Sequence, residues 1–104
     1  MVAGELIAKG GRDQMSKVVL MDFYAEWCGP CKMQDPINEE IKKKFGDKIE
    51  IKKVDVDTNF ELASKFTIHA VPTLIIEKDG TVYKRYTGVT RANVLEADLN
   101  AALK

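Results

Sequence analysis

The chain has only two cysteines, one histidine and one tryptophan in 104 residues. With so few thiols there is no disulfide framework to hold a fold together, and a chain of this length buries a core of its own as one domain, residues 1–104. The cysteines are therefore free for chemistry. The lack of histidine counts against a metal centre, because Cys28, Cys31 and His69 make at most three ligands where structural zinc takes four. A metal or cluster would have to be shared between two chains. Neither sign of charge is in excess: sixteen basic side chains balance sixteen acidic ones, so the electrostatic signature of a nucleic-acid or anionic-membrane partner is missing. No apolar run approaches the roughly 20 residues of a spanning helix, and the N-terminus lacks the charged, apolar, small-residue order of a secretory signal. There is no internal repeat, low-complexity segment or linker. These absences leave an ordinary soluble protein with the cytoplasm as its default compartment. There, an isolated Cys-x-x-Cys is redox-active or metal-binding rather than a structural staple.

The two cysteines lie within Trp27-Cys28-Gly29-Pro30-Cys31-Lys32, where a strand-like run gives way to a helix-like one. Residues three apart on a helix share a face, and alpha carbons at that spacing are roughly 5 to 6 Å apart, within the window a disulfide accepts. Ahead of the pair, Val18 to Ala25 reads as a strand buried on both faces, with Asp22 as its anomaly. Behind it, Met33, Ile37, Ile41 and Phe45 recur every four residues. They predict a helix of about 14 residues that closes before Gly46-Asp47 and kinks, without stopping, at Pro36. Met33 and Phe45 are expected in the core, and Lys42 to Lys44 on a solvated helix end that complements the dipole.

Ile49 to Asp57 alternates as a second strand, and a short helix follows, capped by Thr58 or Asn59, with Leu62, Ala63 and Phe66 on its apolar face. His69 falls in a loop or turn. Thr73 to Glu77 reads as a strand, Asp79-Gly80 as a two-residue hairpin, and Thr81 to Tyr86 as the returning edge strand. Beyond Gly88, Thr90 is placed to cap a last helix with Val94, Leu95, Leu99, Ala102 and Leu103 in one stripe. The order implies an α/β fold, a mixed sheet with helices on both faces. The pattern before Lys17 is weak: Leu6, Ile7 and Ala8 begin a short strand or helix that Gly10-Gly11 breaks.

From Val18 to Leu103 the sequence resembles the thioredoxin family, in particular its small single-domain archaeal or bacterial members. The resemblance rests on the segment Asp22 to Lys32, on Pro36, Lys53, Val71-Pro72-Thr73, Asp79-Gly80 and Gly88. It implies the thioredoxin fold, a central mixed sheet of four or five strands flanked by helices, with a cis bond between Val71 and Pro72. It also implies a protein-disulfide reductase. Cys28 attacks a substrate disulfide and Cys31, less exposed, resolves the mixed disulfide. Asp22 pairs with Lys53 and the two lie beneath Cys31, the first taking the resolving thiol's proton and the second modulating it. Trp27, Gly29, Pro30, Val71, Pro72, Gly88 and Val89 form the substrate-binding patch. The implied partners are a reductase as electron donor and disulfide-containing client proteins. A monomer is expected, with no cofactor beyond the Cys28–Cys31 disulfide. Two departures stand out: only about 17 residues precede the first strand, so the N-terminal unit is abridged, and Tyr24 stands where many relatives carry tryptophan.

The minor alternatives are Asp22 as a strand-end carboxylate facing water and Pro72 as a turn proline opening a strand. A buried Asp22 would have a raised pKa and destabilise the fold above the unfolded value of about 3.9. The competing functional class is a binding module, a scaffold subunit or holdase in which the cysteines are incidental; Asp22, Lys53 and Pro72 argue against it. The Gly-Pro spacer favours the reductase over glutaredoxins and over oxidising relatives.

Overall fold

The computed structural model describes residues 17–104. The strand or helix expected around Leu6 to Gly11 and the expectation of an abridged N-terminal unit fall outside the described residues. Among the described residues, four strands form one mixed sheet: β1 (Val18–Tyr24), β2 (Glu50–Asp55), β3 (Thr73–Lys78) and β4 (Thr81–Thr87), in the spatial order β2-β1-β3-β4. β1 pairs parallel with β2 and antiparallel with β3, which pairs antiparallel with β4. The helices of the described residues are α1 (Gly29–Phe45), α2 (Phe60–Lys65) and α3 (Ala92–Ala102), and a 3₁₀ turn follows α1.

β1 is apolar on both faces because it is an inner strand with helices on either side. Val18 and Leu20 pack with Leu74, Ile76, Ile41, Phe45, Leu95, Leu99 and Ala102, beneath α1 and α3. Val19, Met21 and Phe23 point the other way, into a cluster with Val54, Ile75 and Phe66 that α2 covers. The alternation of a strand therefore sends Asp22 to the α1 side, in line with Val18 and Leu20. β4 is the exposed edge, as expected. At the hairpin both Asp79 (φ +53°) and Gly80 (φ +83°) are left-handed, the pattern of a two-residue turn whose twist matches its strands.

Several sequence expectations need correction. Met33 is not core: it is 64% exposed, and the buried face of α1 runs through Cys31, Gln34, Asn38, Ile41 and Phe45, with Ile37 only partly buried. Four residues advance a helix by more than one turn, so a strict every-four series drifts, and Met33 ends about 120° from Phe45. Two polar residues hold the positions the apolar pattern missed. Thr90 does not cap α3; Arg91 is the N-cap residue, with no side-chain cap bond, and the Thr90 hydroxyl donates to the Gly88 carbonyl. Val94 lies off the buried stripe and is exposed. Asn59 occupies the N-cap of α2 without capping it, since its amide donates back to the Asp55 carbonyl. β2 ends at Asp55 because its carboxylate accepts from the Asp57 backbone N–H and starts the turn two residues early. α1 begins at Gly29 and continues through Pro36, longer than the periodicity suggested.

Substitutions on α1 separate the two registers. Met33→Lys should alter stability by less than about 0.5 kcal/mol, whereas Ile41→Ala should cost about 2–5 kcal/mol, both read by urea unfolding. Comparable losses would restore Met33 to the core.

Candidate active site

The cysteine pair sits at the start of α1, where the first backbone N–H groups of a helix have no partner within it. Cys28 is the N-cap residue, extended at φ −93° and ψ 111°, and its sulfur accepts from the Cys31 backbone N–H at 3.1 Å. Gly29 and Pro30 fill the first two helical positions; proline is tolerated there because its missing N–H would have gone unpaired. Cys28 and Cys31 form a disulfide with alpha carbons 5.3 Å apart, as the spacing predicted. Both residues are buried to nearly the same extent, 4% and 3% exposed, so the expected difference in exposure is not seen. Their surroundings differ instead.

The Cys28 sulfur lies 3.7 Å from the carbonyl oxygen of Val71, and the Val71–Pro72 bond is cis. Pro72 is buried at the head of β3, and its carbonyl accepts from the Gly88 N–H at 2.8 Å, which ties together the loops before β3 and after β4. Gly88 has φ +97°, a conformation that favours glycine. Around this core Gly29 and Pro30 are exposed, as are Trp27 (72%) and Val89 (41%), while Val71 and Gly88 are half-buried. The Trp27 indole N–H donates to Asp57 at 3.0 Å, which anchors a side chain that otherwise faces water.

Cys31 faces elsewhere. It borders an open cleft of about 380 Å³ together with Tyr24, Ala25, Glu26, Lys32, Asp35 and Lys53. In this region the pairing expected from sequence is corrected. The direct partner of Lys53 is Asp35 on α1, at 2.8 Å, and its ammonium also lies 4.3 Å above the Tyr24 ring. Both members of the ion pair are roughly half exposed, where the desolvation cost of pairing is modest. Burial works to lower the Lys53 pKa, but the hydrogen bond and charge of Asp35, with smaller contributions from Asp22 and Tyr24, outweigh it and move the group upward.

Asp22 is fully buried on β1, which removes the reading of a carboxylate facing water. Its Oδ2 accepts from the Asn38 side-chain amide at 2.8 Å, and its Oδ1 has no hydrogen-bond partner among the described residues. Burial raises its pKa from 3.8 to about 6; the nearby Asp35 charge pushes the same way, while Lys53 and the Asn38 hydrogen bond oppose it. Asn38, Asp35 and Asp57 were not among the sequence-derived site residues. Asn38 alone carried a legible signal, being polar two turns after Cys31 on the same helix face. Among the described residues, no group of three or more His, Cys, Asp or Glu side chains could hold a metal ion.

A helix that opens on a reversible disulfide, beside a cis-proline loop on a mixed sheet, is the site of a dithiol–disulfide oxidoreductase. The thioredoxin family model matches residues 11–101. The chain is 45% identical over 86 residues to thioredoxin from Bacillus subtilis (strain 168), spanning 83% of each protein. It is 46% identical over 90 residues to thioredoxin from Mycolicibacterium smegmatis, covering 85% of this chain and 80% of that one. Among solved structures, a mutant thioredoxin from Halobacterium salinarum NRC-1 superposes with a TM-score of 0.78 at 35% identity, over 85% of this chain and 76% of that one. The chain belongs to the thioredoxin family, and its activity is that of a protein-disulfide reductase.

The buried carboxylate sets a pH dependence. Asp22 has a folded pKa of about 6, above its unfolded value. Its contribution to stability is therefore neutral below about pH 4, turns unfavourable as pH rises from 4 to 6, and stays unfavourable above that. Asp22→Asn should be more stable than the parent by about 3 kcal/mol at pH 8, the gap closing as pH falls toward 4. Urea unfolding across that range checks it; a gap independent of pH would contradict the ionisation argument.

Proposed function

We propose that Cys28 is the attacking thiol and Cys31 the resolving one. The observation that carries this assignment is the Cys31 N–H directed at the Cys28 sulfur at 3.1 Å, at the positive end of α1. The same N–H and the helix dipole favour the thiolate form of Cys28 in the reduced protein. That thiolate attacks one sulfur of a client disulfide, the client's sulfur–sulfur bond breaks, and the displaced client sulfur leaves as thiolate. The Cys31 thiol gives its proton to Asp22, whose pKa of about 6 makes it a usable base near neutrality. The Cys31 sulfur then attacks Cys28, forming the internal disulfide and releasing the second client thiolate. Two electrons pass to the client, and a thioredoxin reductase returns them to the Cys28–Cys31 pair.

Lys53 acts on Asp22 through its charge and not by direct contact, since its ammonium is held by Asp35. The client chain is received in extended form beside Val71 and Pro72, with Trp27, Gly29, Pro30, Gly88 and Val89 forming the surface around the sulfurs. No cofactor beyond the disulfide enters this cycle. Both thiols, the acid and the docking loops come from one chain, so the protein works as a monomer, and its balanced charge suits protein clients in the cytoplasm and not nucleic acid or a membrane. Among the described residues no helix is long and apolar enough to cross a membrane.

With resolution blocked, mixed disulfides should accumulate. Purified from its host, Cys31→Ser should carry a spread of client proteins attached through Cys28, released by dithiothreitol and identifiable by mass spectrometry. A single adduct would indicate a dedicated pathway, and none at all would favour a scaffold in which the cysteines are incidental.

A further inference from the structure

The buried face of α1 carries two amides that the disulfide chemistry described above does not use, Gln34 and Asn38, 0% and 6% exposed. They join into a chain of hydrogen bonds. The Thr90 backbone N–H donates to Gln34 Oε1 at 2.8 Å, and Gln34 Nε2 donates to the Thr90 carbonyl at 3.1 Å. Gln34 Nε2 also donates to Asn38 Oδ1 at 3.1 Å, and Asn38 Nδ2 donates to Asp22 Oδ2 at 2.8 Å. At its far end, Thr90 lies two residues beyond Gly88, which is bonded to Pro72.

A primary amide can be turned either way round, but a backbone N–H only donates and a backbone carbonyl only accepts. If Gln34 were reversed, its NH₂ would face the Thr90 N–H and its oxygen the Thr90 carbonyl, two repulsive pairs in a buried site. Thr90 therefore fixes Gln34. Gln34 in that orientation offers NH₂ to Asn38, which must answer with its oxygen and so present its own NH₂ to Asp22. A donor is thus held on Oδ2 whether or not Asp22 is ionised. A proton arriving at the carboxylate cannot sit on Oδ2 against that donor, and the unpartnered oxygen is Oδ1.

We propose that Asn38 and Gln34 are positioning residues for Asp22: anchored on the Thr90 backbone, they hold the carboxylate by Oδ2 and make Oδ1 the oxygen that takes the proton leaving Cys31. The catalytic meaning of this relay rests on Asp22 as the proton acceptor. The charged groups that act on Asp22 are Lys53 from β2 and Asp35 from α1; the β3 residue opposite, Leu74, is apolar. None of these belongs to the relay, so its effect can be isolated.

The test is the titration of the Asp22 carboxyl carbon by NMR in the reduced protein, in Asn38→Leu and separately in Gln34→Leu. Losing a donor to the ionised form should raise the Asp22 midpoint by about one unit in Asn38→Leu. Gln34→Leu frees Asn38 to turn and should give a smaller rise of the same sign; it is two hydrogen bonds from the carboxylate and supplies the readout should Asn38→Leu not fold. The pH profile of disulfide reduction should move with the midpoint, and neither substitution should move it in an Asp22→Asn background. A midpoint unmoved in either variant, whatever the melting temperature does, overturns the relay and leaves the two amides as core packing. A reduction rate in Asp22→Asn equal to the parent at every pH would instead remove Asp22 as the acceptor, a failure that the NMR titration keeps separate.

Discussion

The carboxylate of Asp22, shut inside the sheet, is the constraint around which the site is arranged. A charge without solvent is costly unless paired, and here one oxygen has a single neutral donor and the other none. The strand that carries it tolerates this because its neighbours are apolar on both faces. Leu20 and Phe23 are fully buried, each stabilising by about 1.5–3 kcal/mol. β1 thus combines five buried apolar side chains, Val18, Val19, Leu20, Met21 and Phe23, with a buried carboxylate. Such a combination is expected where a group must change protonation state during a reaction and not simply remain charged.

The cysteines are held by a second constraint, the convergence of three chain segments that are far apart in sequence. The N-terminus of α1 supplies the N–H at Cys28, the loop before β3 brings the Val71 carbonyl to the sulfur, and the loop after β4 is tied to Pro72 through Gly88. The pairing of β3 with both β1 and β4 carries the second and third segments to the first. Trp27, anchored by Asp57 from the turn after β2, adds a fourth point at the rim. Regular structure fixes these points, and the exposed groups lie on the short segments between them.

What the sequence made legible divides along physical lines. β1, the hairpin at Asp79-Gly80 and the thiol pair were readable because each depends on local chemistry: apolar run, left-handed turn residues and i, i+3 spacing. The buried face of α1 was not. Its first turns are covered by Gln34 and Asn38, which no hydrophobic pattern finds, and Met33 occupied a plausible periodic position while facing water. Lys53 misled for a related reason. A lysine beside a buried aspartate in the next strand suggests an ion pair, and the two residues are indeed cross-strand neighbours. The partner that Lys53 takes is Asp35, supplied by a helix whose register was drawn from the wrong residues.

The same polar helix face bears on how two cysteines of nearly equal burial come to do different work. Exposure does not distinguish them, so the asymmetry must come from neighbours. Cys28 has the Cys31 backbone N–H at its sulfur and sits at the positive end of α1, a setting that stabilises an anion, and the Val71 carbonyl oxygen lies 3.7 Å away. Cys31 borders a cleft containing an ion pair, on a helix whose inner face leads from it through Gln34 and Asn38 to Asp22. A thiol in that position gains reactivity only once its proton has somewhere to go. In the proposed cycle the order of the two steps has a physical basis: the first draws on an anion stabilised at the helix end, and the second requires a proton acceptor, the role proposed for Asp22.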